Sequence, residues 1–251
     1  MKKTIITPCE HFMKEMYDKS KNIFTNENTE KTICEVKIDS DILLLLPRAK
    51  NLDNIINYKN LKYLEINNYK IGKKENTIFN NNRDNLKNIT HLKIWNIKQD
   101  DMEIIKYFPK LTHLLVSYIG KEDFSFEGIK YATKIHTLCL ISVNKIKNLD
   151  FMEKDVKEKI KNLNITYCSR LNNFYGIDGY KNLETLTVNY STTESRKRIL
   201  LENINGMEQL NKLKYLELNY YNISIDYLQI KLSYLEKLKY FIMDNVKYKN
   251  I

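Results

Sequence analysis

Along most of the chain the apolar positions repeat one short phrase: an apolar residue, two of any kind, an apolar residue, one of any kind, an apolar residue. It is clearest in Leu61-Lys-Tyr-Leu64-Glu-Ile66, Ile89-Thr-His-Leu92-Lys-Ile94, Leu111-Thr-His-Leu114-Leu-Val116 and Leu213-Lys-Tyr-Leu216-Glu-Leu218. Further copies begin at Ile33, Ile135, Ile160, Leu183 and Leu238, and the nine starts are 28, 28, 22, 24, 25, 23, 30 and 25 residues apart. Alternation inside the phrase is that of a β-strand, whose successive side chains leave on opposite faces. Upstream, apolar residues recur every third place, as in Leu52-x-x-Ile55-x-x-Tyr58-x-x-Leu61, a spacing that suits a short helical or 3₁₀ segment. Phe126-Glu-Gly128-Ile129, Phe174-Tyr-Gly176-Ile177 and Ile204-Asn-Gly206-Met207 hold matching places before three of the strands.

Each unit is therefore one strand and one return segment, and neither can bury its apolar side alone. Stacking the units solves this, because every strand then pairs in parallel with the next and every return segment packs behind it. The pattern resembles the leucine-rich repeat family, L-x-x-L-x-L-x-x-N/C-x-L, over about residues 31 to 251. The resemblance implies an α/β solenoid, a horseshoe with a parallel concave sheet of about nine strands and short helical or 3₁₀ return segments. Where the family carries Asn or Cys, this chain has Asp41, Tyr69, Ile97, Ile119, Val143, Cys168, Ser191, Tyr221 and Val246; Asn never stands there, although the chain contains 31. Apolar packing is expected to replace the usual ladder of Asn side chains. Residues 1 to 30 lie outside the register, and Phe12, Met13, Met16 and Tyr17 at helical spacing predict a capping helix before the solenoid of residues 31 to 251. Two polar inserts, Gly72 to Asn85 and Ser191 to Arg198, are expected to be loops.

Strand geometry decides which residues face a partner. Positions four and six of the phrase point inward, so positions three, five and seven point out, with position eight at the border. Of the 36 side chains so placed, only seven are charged: Glu35, Lys37, Asp39, Glu65, Lys93, Glu217 and Asp244. The basic surplus of the whole chain, 41 against 31, must lie elsewhere. Aromatic residues among Asn, Ser and Thr, with little charge, are the composition of protein-recognition surfaces. The candidate contacts are His91, Lys93, Trp95, His113, Leu115, Tyr118, Tyr167, Tyr190 and Tyr220, with Trp95, Tyr118, Tyr167 and Tyr190 as anchors. The plainer account is that 18 tyrosines merely suit exposed strands.

A lysine precedes each strand unit: Lys31, Lys59, Lys87, Lys110, Lys134, Lys159, Lys181, Lys212 and Lys237. Side by side these form a basic ridge along one rim, most simply a solvated edge that aids solubility. The sharper alternative is an electrostatic rail for an acidic protein, nucleic acid or lipid head groups. With 36 Lys and 5 Arg, the chain lacks the planar forks suited to phosphate, which argues against nucleic acid.

Reactive groups are sparse. His91 and His113 share position three of adjacent repeats, but Thr137 follows them in that row and His136 is one residue out of phase, so no metal is expected. Cys139 should point outward and be open to modification, whereas Cys168 takes a core turn position. No phosphate loop, H-E-x-x-H or G-x-S-x-G occurs, so a non-catalytic protein without a cofactor is expected. The start lacks an apolar signal region, the run Ile42 to Leu46 is too short to cross a bilayer, and the four cysteines are scattered. These features point to an intracellular, cytoplasmic protein with no transmembrane segment. The last predicted strand, Leu238 to Met243, is apolar and near the end of the sequence. Its edge is expected to dock another chain, a second copy or a further capping segment, unless residues 244 to 251 shield it.

Overall fold

In the computed structural model the described residues are 61–67, 73–96, 101–119, 124–190, 198–244 and 246–248, together with the backbone of 42–45. Strands β1 (Ile42–Leu45), β2 (Tyr63–Asn67), β3 (His91–Trp95), β4 (His113–Ser117), β5 (Thr137–Ile141), β6 (Asn162–Thr166) and β7 (Thr185–Asn189) line up in chain order. After the short β8 (Ile199–Leu200), β9 (Tyr215–Asn219) and, past β10 (Tyr221–Asn222), β11 (Tyr240–Met243) extend the same sheet. All nine of these sheet strands are parallel to their neighbours, and β12 (Val246–Tyr248) closes the sheet antiparallel to β11. Strands β8 and β10 form a separate parallel pair. The architecture is a solenoid of stacked strand-and-return units, the α/β arrangement expected from the sequence.

Register explains the regularity. Tyr63, His91, His113, Thr137, Asn162, Thr185, Tyr215 and Tyr240 follow one another across the sheet, so equal positions of the phrase are neighbours. Positions four and six turn inward and are almost wholly buried from Leu64 and Ile66 through Leu216 and Leu218. Together they make the spine.

Behind them, return segments form 3₁₀ turns at Glu103–Tyr107, Glu127–Tyr131, Ile177–Gly179 and Met207–Gln209. A 3₁₀ turn repeats every three residues, which is why Phe126, Ile129 and Ala132, or Ile204, Met207 and Leu210, share one buried side. Gly176 starts its turn at φ +86°, a backbone region where an L side chain is strained. Gly128 has a positional role instead: a Cβ there would lie 2.1 Å from the Met102 carbonyl carbon of the preceding repeat.

Three expectations change. The insert before β3 is helical rather than a loop, with α1 (Lys73–Asn81) and α2 (Arg83–Leu86). Phe79 is buried there, its ring 5.4 Å from Tyr107 and 6.3 Å from Phe108, so the insert caps the core instead of leaving it. Second, the strand that pairs with β2 is β1, with Ile42 opposite Tyr63, and not the Ile33 phrase. Third, β12 covers the edge of β11, pairing Phe241, Ile242 and Met243 with Tyr248, Lys247 and Val246. The apolar edge proposed for self-association is therefore occupied by the chain's own residues. Two further return segments are helical, α3 (Lys154–Lys157) and α4 (Ile225–Leu232). The predicted capping helix, the Ile33 phrase, Lys31, Lys59 and most of the second insert lie outside the described residues.

Candidate functional site

The outward face of the sheet is built by the same register that builds the spine. Parallel strands are about 4.8 Å apart, so rings at equal positions on adjacent strands stack. Tyr63 stacks on His91 with centroids 4.4 Å apart, and His91 on His113 at 4.2 Å with planes 10° apart. His136, one position out of phase, still reaches His113 edge-on at 4.7 Å. It precedes the first strand residue, so the strict alternation that governs β5 does not bind it.

Threonines fix these imidazoles. The Thr112 hydroxyl donates to the Thr90 carbonyl oxygen at 3.0 Å and lies 2.9 Å from His113 Nδ1. With its proton committed there, its oxygen accepts from Nδ1–H, and Nε2 becomes the atom that takes a further proton. Thr90 lies 2.8 Å from His91 Nδ1, and Thr137 lies 3.0 Å from His136 Nδ1. Burial, reinforced by the Lys161 charge, lowers the pKa of His136 below its ordinary value. Rings stacked on one another do not converge their nitrogens, and no group of three or more His, Cys, Asp or Glu among the described residues could hold a metal ion.

Beside this row lies a second cluster. Lys93 bonds Glu65 at 2.9 Å, and its ammonium sits 4.9 Å from the centre of the Trp95 ring. Trp95 meets Tyr118 at 5.0 Å. Tyr118 is 48% exposed and Tyr167 41%. Both occupy position eight, where Asn96, Tyr118, Ser142, Tyr167 and Tyr220 all have left-handed backbones with φ from +52° to +65°. A bulky residue there is unusual. The gain is a cross-strand hydrogen bond: the N–H of Tyr118 donates to Ile141 O at 2.9 Å, and that of Tyr167 to Asn189 O at 2.8 Å. The turn thus throws each ring out beside the sheet face.

Other candidates sit differently. Leu115 and Cys139 are on the outward face but only 2% and 0% exposed, enclosed by the neighbouring rows. A side chain with so little surface offers a partner no area and a reagent no path, which corrects both expectations. Tyr190 is half-buried and packs against the core beside Tyr221. Tyr220 is half-buried, and its N–H donates to Asp244 Oδ1 at 2.8 Å. At position nine Ile119, Val143, Cys168 and Tyr221 are buried, so apolar packing does replace the Asn ladder; Val246 instead lies exposed in β12. Burial pushes the Cys168 thiol up to about 12, which keeps it protonated and unreactive.

Farther along, the face becomes a web of hydrogen bonds among amides, hydroxyls and one carboxylate. Thr185 donates to Asn162 at 2.9 Å, and Asn162 to Thr137 at 3.1 Å. Glu217 accepts from the Tyr215 hydroxyl at 2.7 Å, Asn219 at 2.7 Å and Asn189 at 3.3 Å. The sequence does not display this web, because its inter-strand partners are 23 to 28 residues apart and meet through register, while Tyr215 and Asn219 reach Glu217 along their own strand.

The lysine ridge also has a structural use. Lys110 donates to Asn88 at 2.8 Å, Lys212 to Asn182 at 2.5 Å, and Lys181 pairs with Glu158 at 3.3 Å. Each of these bonds ties a repeat to the one before it. Lys87 pairs locally with Asp84, whereas Lys134, Lys159 and Lys237 make no such bond among the described residues.

No family model matches the chain, and no curated protein matches it. Among solved structures it is similar to an internalin from Listeria monocytogenes, with 18% identity, TM-score 0.42, 76% of this chain covered and 56% of that one. It is similar to a leucine-rich-repeat protein of Leptospira interrogans, with 15% identity, TM-score 0.38 and coverage of 95% and 63%. It is also similar to the leucine-rich repeat domain of the type III effector XopL, with 12% identity, TM-score 0.36 and coverage of 86% and 85%. The chain thus spans 56% and 63% of the length of the first two. Likeness at this level carries no functional argument.

Proposed function

We propose that the chain is a non-catalytic, intracellular scaffold or adaptor that grips a protein partner on the sheet face, with Trp95 and Tyr118 as anchors and His91, Lys93, His113 and Tyr167 around them. The observation that supports this is the Trp95–Tyr118 ring pair, 5.0 Å apart at the open border of the sheet, with Tyr118 48% exposed on a strained backbone. The spine is complete without these rings, so folding alone does not account for large aromatic area facing water. Trp and Tyr are the residues that dominate interface energies when a partner covers them. Tyr190 and Tyr220, half-buried, would frame the contact rather than anchor it.

The lysine ridge as a rail for acidic surfaces or nucleic acid is the weaker account, because Lys110, Lys181 and Lys212 are committed to bonds between repeats. Among the described residues no helix is long and apolar enough to cross a membrane. Affinity capture from the native cell tests the role. The W95A/Y118A variant should lose the partner while its thermal unfolding stays within a few degrees of wild type. Capture that persists in the variant would contradict the role, and unfolding of the solenoid would show the two rings to be core.

A further inference from the structure

Three successive turns at the strand exits carry Tyr118, Ser142 and Tyr167, with left-handed backbones at φ +55°, +55° and +58°. Each turn is tied to the next strand. The Tyr118 N–H donates to Ile141 O at 2.9 Å, that of Ser142 to Thr166 O at 2.8 Å and that of Tyr167 to Asn189 O at 2.8 Å. The turns therefore keep the spacing of the strands that feed them. Two inter-strand steps of about 4.8 Å set the tyrosine positions roughly 9.6 Å apart. Both rings are exposed, and the small, half-buried Ser142 stands between them. The outline is ring, notch, ring.

The strip is also neutral. At the described exits of β3 to β6, which are Trp95 and Asn96, Ser117 to Ile119, Ile141 to Asn144 and Thr166 to Ser169, no side chain is charged, in a chain of net charge +10. Lys93, against the Trp95 ring, is already bonded to Glu65 at 2.9 Å. Nucleotide bases could stack on the tyrosines, but their phosphates need cations that the strip lacks. An uncharged segment complements it instead. Period decides which kind. In an extended strand, residues on one side recur about every 6.8 Å, out of step with the rings. Polyproline II repeats every three residues and rises about 9.3 Å in doing so, which matches the two tyrosines. It has no internal hydrogen bonds, so its carbonyls are open to the phenolic hydroxyls. Proline also fixes this conformation before binding, so little ordering is lost.

We propose that Tyr118, Ser142 and Tyr167, with Trp95 at one end, form a docking strip for an uncharged, proline-rich protein segment in the polyproline II conformation. One turn of that segment reaches from one tyrosine to the other. This rests on the protein-binding role of the same face and adds the chemical class of the partner. Prolines three residues apart lie against the two tyrosine rings, and the residues between them cross the notch over Ser142. Trp95, 5.0 Å from Tyr118, extends the aromatic surface by one strand.

The test uses the full chain and a fluorescent oligoproline, beside a Gly-Ser peptide of equal length and oligothymidylate. Oligoproline should bind about tenfold more tightly than the Gly-Ser peptide, and Tyr118→Ala and Tyr167→Ala should each weaken it about tenfold. Ser142→Tyr is the sharper variant. Tyr118 and Tyr167 already stand on the same backbone conformation, so the solenoid should stay folded. A third ring fills the notch and should lower affinity about tenfold, whereas aromatic area alone would raise it. In the wild type, the NMR ring signals of Tyr118 and Tyr167 should shift with oligoproline while those of Tyr131 and Tyr175, exposed on return segments, stay still. That arm needs no variant, so a variant that fails to fold leaves the test intact. Equal affinity for the Gly-Ser peptide, tighter binding by Ser142→Tyr, preference for oligothymidylate, or shifts confined to Tyr131 and Tyr175 would overturn the proposal. If oligoproline fails while W95A/Y118A still abolishes capture from cells, the proline-rich partner falls and protein binding stands.

Discussion

The two halves of the sheet face share one backbone and one spine but differ in what they do with their outward side chains. On β2 to β4 that surface is rings and charge: Tyr63, His91 and His113 in one row, Glu65 and Lys93 in the next, Trp95 and Tyr118 at the border. On β6 to β9 it is amides and hydroxyls bonded to one another, with Glu217 at their centre. The second half spends its hydrogen-bonding capacity internally, whereas the first keeps aromatic area and titratable groups toward water. Polar outward residues on a parallel sheet thus do not make an interface by themselves. What separates the halves is whether neighbours across the register satisfy each other.

Truncating the shared spine should give the largest effect and the same one in both halves. Leu114→Ala and Leu186→Ala each remove a fully buried side chain and should cost about 3 kcal/mol in urea unfolding. A markedly smaller loss in one of them would show that the spine is not continuous.

The carboxylates should then separate the halves. Glu217→Ala leaves a tyrosine hydroxyl and two amides without their acceptor and should destabilise by about 1–3 kcal/mol. Glu65→Ala breaks a lysine pair near the surface and should cost no more than about 1 kcal/mol. Equal losses would erase the distinction.

Acid should act through His136, at the entry of β5 beside the ring-bearing half. Folding holds the pKa of His136 below its unfolded value, so protonation favours the unfolded chain. The stabilisation is therefore full above an unfolded pKa of about 6.5 and is lost as pH falls below it. Urea midpoints at pH 7.5 and 5.5 should fall less in His136→Gln than in wild type. An equal fall would remove His136 from the account.

Alkylation gives the smallest effect. Cys139 and Cys168 are buried, so in native protein they should react with iodoacetamide far more slowly than after unfolding. Fast labelling of Cys139 would mean that the enclosing rows open readily.

Sequence periodicity carried the strands, the spine and the direction of each side chain, because alternation and a parallel register leave little freedom. It put Trp95 at an outward position and Tyr118 at the border, and their rings lie 5.0 Å apart. It could not tell that Leu115 and Cys139, though outward, are enclosed, since that depends on the size of side chains one strand away. Nor could it see His136 joining His113, because residues just before a strand escape the alternation. The helices of the first insert were hidden behind polar composition, and Phe79, Leu86 and Ile78 are the core contacts that fix them. The lysines looked like a free ridge only while their partners, Asn88, Glu158 and Asn182 of preceding repeats, were unknown.

The central claim is that the ring-bearing half of the face, through Trp95 and Tyr118, anchors the partner, with Tyr167 at the margin of the amide-bearing half. Photo-crosslinking with benzoylphenylalanine at Tyr118 and, separately, at Thr185 measures this directly in the native cell. A partner joined through position 118 and not through position 185 is the predicted result. Equal yields at both, or crosslinks from position 185 alone, would contradict it.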